Sequence, residues 1–200
     1  MSYDQFSLVD IQTQFSLTIH QSKSLFEDVT PIEISDHLKI TLKENIPLAL
    51  NINTEKARSE MLIVPMLIEL RKLLHRTVSL FSGVSLNVDE NRGLTGLCDF
   101  LICNSPNHLY VNRPVIAIVE AKNENIKSAI PKCVAKMYAA QQSNQGDLHG
   151  NIMGIVSTGS SWKFLILAEN SVFVDYDEYL IEIPEKILAV AVDHVRKVNS

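Results

Sequence analysis

In the segment "PVIAIVEAKNENIK", from Pro114 to Lys127, a carboxylate and an ammonium follow directly on a run of apolar residues. Residues 115–119 are small and β-branched apolar residues, which predict a buried strand. Glu120 and Lys122 come next, without an intervening turn residue. Because alternate residues of a strand share a face, we expect these two side chains to point the same way from the end of the strand.

A second carboxylate, Asp99, lies in the apolar segment "LCDFLIC", which predicts the preceding strand. If the two strands form an antiparallel hairpin in which Asn104 pairs with Val115, Asp99 lies opposite Glu120. Cross-strand partners approach within roughly 4.5–5.5 Å at their Cβ atoms. We therefore expect Asp99, Glu120 and Lys122 to converge at one end of the sheet.

Two carboxylates this close repel each other unless a cation lies between them. A divalent metal balances both, and oxygen ligands select a hard ion such as Mg²⁺ or Mn²⁺. The ammonium of Lys122 is then free to orient a water or to stabilise charge on a phosphate. This combination suits in-line displacement at a phosphodiester. The alternative reading is a buried ion-pair network that joins neighbouring strands at the sheet edge.

A third carboxylate, Glu60, stands where the predicted helix "TEKARSEMLIVPMLIELRKLLHR" becomes apolar on all sides. Asn53 is expected to be the N-cap of this helix, and Pro65 is expected to kink it. A carboxylate that borders so apolar a stretch needs a partner. Glu60 is therefore a candidate metal ligand, or a holder of a metal-bound water.

The elements that position these residues follow from the apolar pattern. After the helix come three predicted strands, a second helix in "NIKSAIPKCVAKMYAAQQSN", a turn in "QGDLHGN", three more strands and a final helix in "EKILAVAVDHVRKV". A three-strand meander followed by a crossover helix and a further strand implies a mixed α/β sheet with helices on both faces. We divide the chain into an N-terminal extension packed on the core, 1–50, and a main domain, 51–200.

Glu60 on a helix, Asp99 in "GLCDF" and the Glu-Ala-Lys triplet at 120–122 resemble the PD-(D/E)xK nuclease superfamily. The segments "TEKARSE" and "VEAKNENIK" are similar to a restriction-endonuclease-like branch of cyanobacterial type. The resemblance implies a restriction-endonuclease-like α/β fold, a mixed β-sheet flanked by helices, and Mg²⁺-dependent cleavage of DNA. It implies that Asp99, Glu120 and Glu60 are catalytic acids that bind metal, and that Lys122 is the catalytic lysine.

Two positions depart from the family's pattern. Cys98 stands where many members have proline, and Lys132 stands where some branches carry a helix glutamine. The role of that helix in positioning substrate is therefore open. Lys127, Lys132 and Lys136 could form a substrate-binding, phosphate-facing stripe instead, although a solvated helix face is the simpler reading.

Composition narrows the class of protein. The net charge of −5 argues against a surface coated in phosphate-binding residues, but it allows a local basic groove. Three cysteines make no even disulfide framework, which fits a reducing cytoplasm. No signal-peptide pattern and no apolar run of roughly 18 residues is present, so we expect a cytoplasmic protein without a membrane span.

Several functional alternatives stay open at this stage. DNA is the expected substrate and RNA the less favoured one, since no base-stacking aromatic motif decides between them. A non-catalytic nucleic-acid- or protein-binding module of the same fold is one rival. A subunit of a restriction or defence assembly that acts only with a partner is another. A homodimer is also open, because many enzymes that cut both strands of a duplex are symmetric dimers.

Overall fold

The computed structural model describes residues 2–144 and 151–198 of the 200-residue chain. Its helices are α1 (Leu8–Phe15), α2 (Asp36–Ile52), α3 (Glu55–Arg58), α4 (Val64–Leu73), α5 (Ile126–Asn144) and α6 (Pro184–Val198). Its strands are β1 (Thr18–His20), β2 (Ser79–Ser85), β3 (Leu97–Cys103), β4 (Val115–Ala121), β5 (Ile152–Ser157), β6 (Ser161–Ala168), β7 (Ser171–Val174) and β8 (Tyr179–Leu180). The turn predicted in "QGDLHGN" falls almost wholly outside the described residues.

The described strands form one sheet in the order β1-β7-β6-β5-β4-β3-β2, with β8 paired to β6. The pairs β4/β5 and β1/β7 are parallel, and the other neighbours are antiparallel. Helix α5 is the crossover that connects the parallel pair β4/β5, as the element order requires. The predicted mixed α/β sheet flanked by helices is therefore confirmed. Strand β1, three residues long, was not predicted.

The register of β3 and β4 matches the prediction at the end of the hairpin that carries Asp99 and Glu120. Phe100 pairs with Val119 and Leu101 with Ile118, and continuation of this register puts Asp99 across from Glu120. At the other end of the hairpin the prediction is wrong. An irregularity after Ile102 makes Cys103, rather than Asn104, the partner of Val115.

Two apolar cores lie on opposite faces of the sheet. Ile118 and Val119, neighbours on β4, belong to different cores because strand side chains alternate. Helices α2, α4 and α6 cover the Val119 face, and α1 and α5 cover the Ile118 face. Strand β4 is buried along its whole length, which explains its uninterrupted apolar run. Cys98, Cys103 and Cys133 are all buried free thiols.

The helix that carries Glu60 is irregular at its centre. Its N-cap is Thr54 rather than Asn53, which instead ends α2 in the left-handed conformation at φ 50°. Between α3 and α4 lies a π-helical segment, Ser59–Ile63. The segment ends two residues before Pro65, which has no backbone N–H to donate. A kink at Pro65 stays a prediction, and the irregularity that the structure shows is the π turn just before it.

The first fifty residues contribute to both faces of the sheet. A 3-10 turn, Tyr3–Gln5, and α1 pack against α5, whereas β1 extends the sheet beside β7. Helix α2 lies on the other face, against α4 and the π segment. The helix α2 was not predicted, because its Pro47 and its mixed polar pattern obscure the periodicity.

None of the helices within residues 2–144 and 151–198 has the length and apolar character needed to cross a bilayer.

Candidate functional site

The candidate site lies where β3 begins and β4 ends, because an antiparallel pair brings these two termini together. Asp99 is the third residue of β3, and Glu120 and Ala121 are the last two of β4. The backbone N–H of Ala121 donates to Oδ2 of Asp99 at 2.9 Å. This bond fixes the carboxylate of Asp99 at the end of the sheet.

An open groove of about 280 Å³ runs between this end of the sheet and the helical run α3–π–α4. Asp99 and Ala121 line its sheet side, and Glu55, Ser59 and Glu60 line its helix side. The π turn positions Glu60 on the groove, and such turns occur frequently at functional sites. The groove therefore gathers carboxylates from two different elements.

Glu60 has a partner on its own helix rather than on the sheet. Its Oε1 lies 2.8 Å from Nζ of Lys56, one turn earlier, and 57% of its side chain is exposed. The partner that the sequence required for Glu60 is therefore an exposed (i, i+4) lysine. Such exposed pairs contribute little to stability, so Glu60 is free to exchange Lys56 for another cation.

Glu120 points away from the groove, toward α5. Its side chain is fully buried, and its Oε1 accepts a short hydrogen bond from Nζ of Lys136, which is also fully buried. Its Oε2 lies 3.4 Å from Nζ of Lys132 but has no hydrogen-bond partner among the described residues. The expectation that Glu120 shares one open cluster with Glu60 is wrong in this structure, since the two carboxylates lie toward opposite faces of the sheet.

The pKa of the Glu120 carboxyl reflects this burial. Desolvation raises the pKa, and the nearby charge of Asp99 adds to this effect, while Lys136 and Lys132 oppose it. Burial alone would lower the pKa of Lys132, but the charges of Glu120, Asp99 and Asp4 raise it above its ordinary value. The cluster is therefore an electrostatically coupled set of acids and ammoniums.

Lys122 and Glu120 have different partners, contrary to the expectation that they point the same way. Nζ of Lys122 lies 4.0 Å from Oε2 of Glu55 on α3, on the groove side. The backbone N–H of Lys122 still donates to Ser157 at 2.9 Å, which continues the β4/β5 pairing. Because Lys122 follows the last residue of β4, strand alternation no longer determines where its side chain points.

The three lysines of α5 do not form the exposed stripe that was considered. Lys136 is buried against Glu120, and Lys132, 18% exposed, contacts both Glu120 and Asp4. Lys127, in the first turn of α5, is exposed. These lysines do not form one exposed row, because α5 is covered on two sides, by the sheet and by the N-terminal turn with α1.

Sequence reasoning missed two features of this site. Lys132 and Lys136 are one helical turn apart, a spacing that could have identified both as partners of one carboxylate. Asp4, whose Oδ1 lies 2.9 Å from Nζ of Lys132, could not have been found, because it is more than a hundred residues away in the chain.

The donors at this end of the sheet are suited to a hard cation in their chemistry. The described residues contain no group of three or more histidine, cysteine or acidic side chains arranged around one point. However, Mg²⁺ usually takes only one or two carboxylates and completes its shell with water and substrate phosphate. Asp99 offers such an oxygen at the groove, whereas Oε2 of Glu120, which makes no hydrogen bond to the described residues, is buried 3.4 Å from Nζ of Lys132. The chemistry of Asp99 and Glu120 therefore suits a magnesium ion held by few protein ligands, and Glu120 joins such a site only when it turns away from Lys132 and Lys136.

Comparison of the chain with protein-family models, curated proteins and solved structures finds no match. The resemblance to the PD-(D/E)xK superfamily accordingly stays a prediction from the residues themselves.

Proposed function

We propose that this protein is a nuclease of the PD-(D/E)xK type, with a restriction-endonuclease-like fold, that hydrolyses DNA phosphodiester bonds with Mg²⁺ or Mn²⁺. The observation that carries the proposal is the juxtaposition of Asp99 and Glu120 on neighbouring strands, with Lys122 directly after them. The open groove beside Asp99 supports it further, because a phosphodiester needs access to the reacting centre.

Asp99 and Glu120 would hold the metal, and Glu60 would hold a second metal or its water. When bound, the metal activates water and neutralises the charge that develops on the phosphate oxygens. Metal binding by Glu120 requires the ammonium groups beside it to withdraw, because Lys132 lies 3.4 Å from Oε2 and Lys136 hydrogen-bonds Oε1.

Lys122 would orient the attacking water and stabilise the transition state. Its ammonium lies on the groove side, and Glu55, at 4.0 Å, is too far away for a hydrogen bond. The ammonium can therefore turn toward a phosphate in the groove without breaking one. A fixed cation that faces developing negative charge is among the stronger sources of rate enhancement.

The test is cleavage of supercoiled plasmid and of single-stranded DNA with Mg²⁺ or Mn²⁺, with EDTA as the metal-free condition. We expect metal-dependent cleavage that falls by about 10²-fold or more in Lys122→Ala. The matched control is Lys43→Ala, which removes an exposed lysine on α2 and should leave cleavage unchanged. Equal cleavage by both variants would contradict the role of Lys122, and no cleavage by the parent protein would contradict the proposal.

A second candidate function is a non-catalytic nucleic-acid-binding module of the same fold. The full burial of Glu120 against Lys136 favours it, because this ion pair joins the end of β4 to α5 without any metal. Calorimetric titration with Mn²⁺ separates the two candidates. Heat of binding that disappears in Asp99→Asn supports the nuclease, and DNA binding without any metal binding supports the module.

A further inference from the structure

The N-terminal turn, Tyr3–Gln5, covers the lysines of α5 and is held in place by contacts with the β2–β3 connection. The hydroxyl of Tyr3 donates to the carbonyl of Leu86 at 2.6 Å, and its backbone N–H donates to Thr95 at 3.3 Å. A Cβ on Gly96, which has φ +142°, would lie only 3.0 Å from the Tyr3 ring. The turn is thus docked closely, and Tyr3 is only 1% exposed.

Beneath this turn the ammonium of Lys132 is shared between two carboxylates. Oδ1 of Asp4 lies 2.9 Å from Nζ, and Oε2 of Glu120 lies 3.4 Å from it on the buried side. Nζ of Lys136 lies 5.8 Å from the centroid of the Tyr3 ring. Asp4 is therefore the group that closes the solvent side of this cationic pair.

The two carboxylates that contact Lys132 differ in how easily they can separate from its ammonium group. Glu120 is fully buried, whereas 69% of the Asp4 side chain is exposed. An exposed carboxylate that hydrogen-bonds an ammonium exchanges readily for another oxyanion, because the net energy of such pairs is small. The oxygens of a phosphodiester present the same charge and the same acceptor chemistry.

The surroundings favour a polyanion over a single anion. The pKa of Asp4 is lowered mainly by the hydrogen bond from Lys132. The positive charges of Lys132, Lys136 and Lys122 lower it further. Nζ of Lys122 also lies 4.0 Å from Glu55, which lines the groove beside Asp99. Successive phosphates of a nucleic-acid strand could therefore contact Lys132 and the groove in turn.

We propose that Lys132 is a binding site for a backbone phosphate of nucleic acid, and that Asp4 occupies this site as an internal competitor until the strand displaces it. The identity of the polyanion rests on the proposed nuclease function. The competition itself rests on the contacts of Asp4, Lys132 and Tyr3.

The test measures binding of a short labelled DNA duplex by fluorescence anisotropy in EDTA, where cleavage does not contribute. Asp4→Asn is compared with Asp36→Asn, which removes an exposed carboxylate paired with Lys39 at 3.4 Å and changes the net charge equally. We expect Asp4→Asn to tighten binding by about two- to fivefold relative to that control.

Two further experiments test whether the gain in binding depends on Lys132. In a Lys132→Gln background the gain from Asp4→Asn should vanish. Amine labelling read by mass spectrometry should show Lys132 reacting faster in Asp4→Asn, and added duplex should protect it. A gain that persists without Lys132, equal behaviour of the two asparagine variants, or equal competition by polyglutamate would overturn the inference.

The outcomes also separate this inference from the proposed function. Metal-dependent cleavage without any effect of Asp4→Asn overturns only the competition at Lys132. A gain in binding from Asp4→Asn in a protein that cleaves nothing overturns only the nuclease.

Discussion

At the scale of single residues, Glu120 and Lys136 are the most consequential pair in the molecule. Both side chains are completely removed from water, which makes each charge costly unless the other is present. Lys132 reaches the same carboxylate from the solvent side at 3.4 Å. The sequence identified all three residues as candidates for chemistry, but it did not show that they contact each other.

Replacement of Lys136 by methionine should destabilise the protein by about 3 kcal/mol, because it leaves Glu120 buried with only the more distant Lys132. Urea denaturation at neutral pH measures the change. The double variant Glu120→Gln with Lys136→Met should lose clearly less than the sum of the two single losses. Lys39→Met, which breaks an exposed pair with Asp36, is the control and should cost less than about 1 kcal/mol. A similarly small loss for Lys136→Met would contradict the importance of the buried pair.

At the scale of elements, the longer strands were predictable, whereas the short strands β1 and β8 and some helices were not. The segments 97–103 and 115–121 are apolar runs bounded by turn residues, and they form β3 and β4 almost as predicted. Helix α2 was obscured by Pro47, and β1 is too short to show a period. Pro131 lies in the second turn of α5, where packing against the sheet supports the helix.

Helix α5 and strand β5 approach each other closely at Gly154. A Cβ at this position would lie 2.9 Å from Sγ of Cys133 and would also overlap with Sδ of Met137. Only glycine lets the helix lie this near to the strand, and this distance in turn places Lys132 and Lys136 against Glu120.

Gly154→Ala should therefore destabilise the protein by about 1–3 kcal/mol through overpacking. The test is whether the new methyl group overlaps with Met137. It compares the denaturant unfolding of Gly154→Ala, of Met137→Ala and of the double variant. The double variant should recover part of the loss, because the shorter side chain vacates the space that the new methyl group needs. Strict additivity of the two losses would show that the methyl group does not meet Met137.

At the scale of the whole molecule, one sheet holds two cores and every terminal segment takes part in one of them. The first fifty residues reach both faces, and α6 closes the Val119 face with His194 turned inward. Burial lowers the pKa of His194 to about 4. The imidazole is thus kept neutral in the folded protein, while it titrates normally in the unfolded chain.

We expect the free energy of unfolding to decrease at acidic pH because of His194. Its folded pKa lies below the unfolded value near 6.5, so its contribution is fully present above that pH and decreases as the pH falls toward about 4. Between pH 7 and pH 5 we expect His194 to lower the free energy of unfolding by ~2 kcal/mol. Urea titrations of the parent protein and of His194→Gln at both pH values measure this.

The difference between parent and variant is the quantity to compare. Glu120, whose pKa is raised, acts in the opposite direction, because its contribution is lost as the pH rises. This opposing effect is common to both proteins and cancels in the difference. Parallel pH profiles for the two proteins would contradict the assignment to His194.

Local patterns in the chain were sufficient for the class of fold, for most strands and for the acids and lysines that could do chemistry. Apolar runs and turn residues act over a few positions, so they can be read in order along the chain. The partners of those residues depended on the folded chain. The burial of Glu120, the contact of Asp4 with Lys132 and the placing of Glu60 across a groove all join residues that are distant in sequence. The first two contacts arise when α5 and the N-terminal turn pack on one face of the sheet, and the third arises when the α3–π–α4 run packs on the other face. Packing rather than periodicity sets these distances between elements.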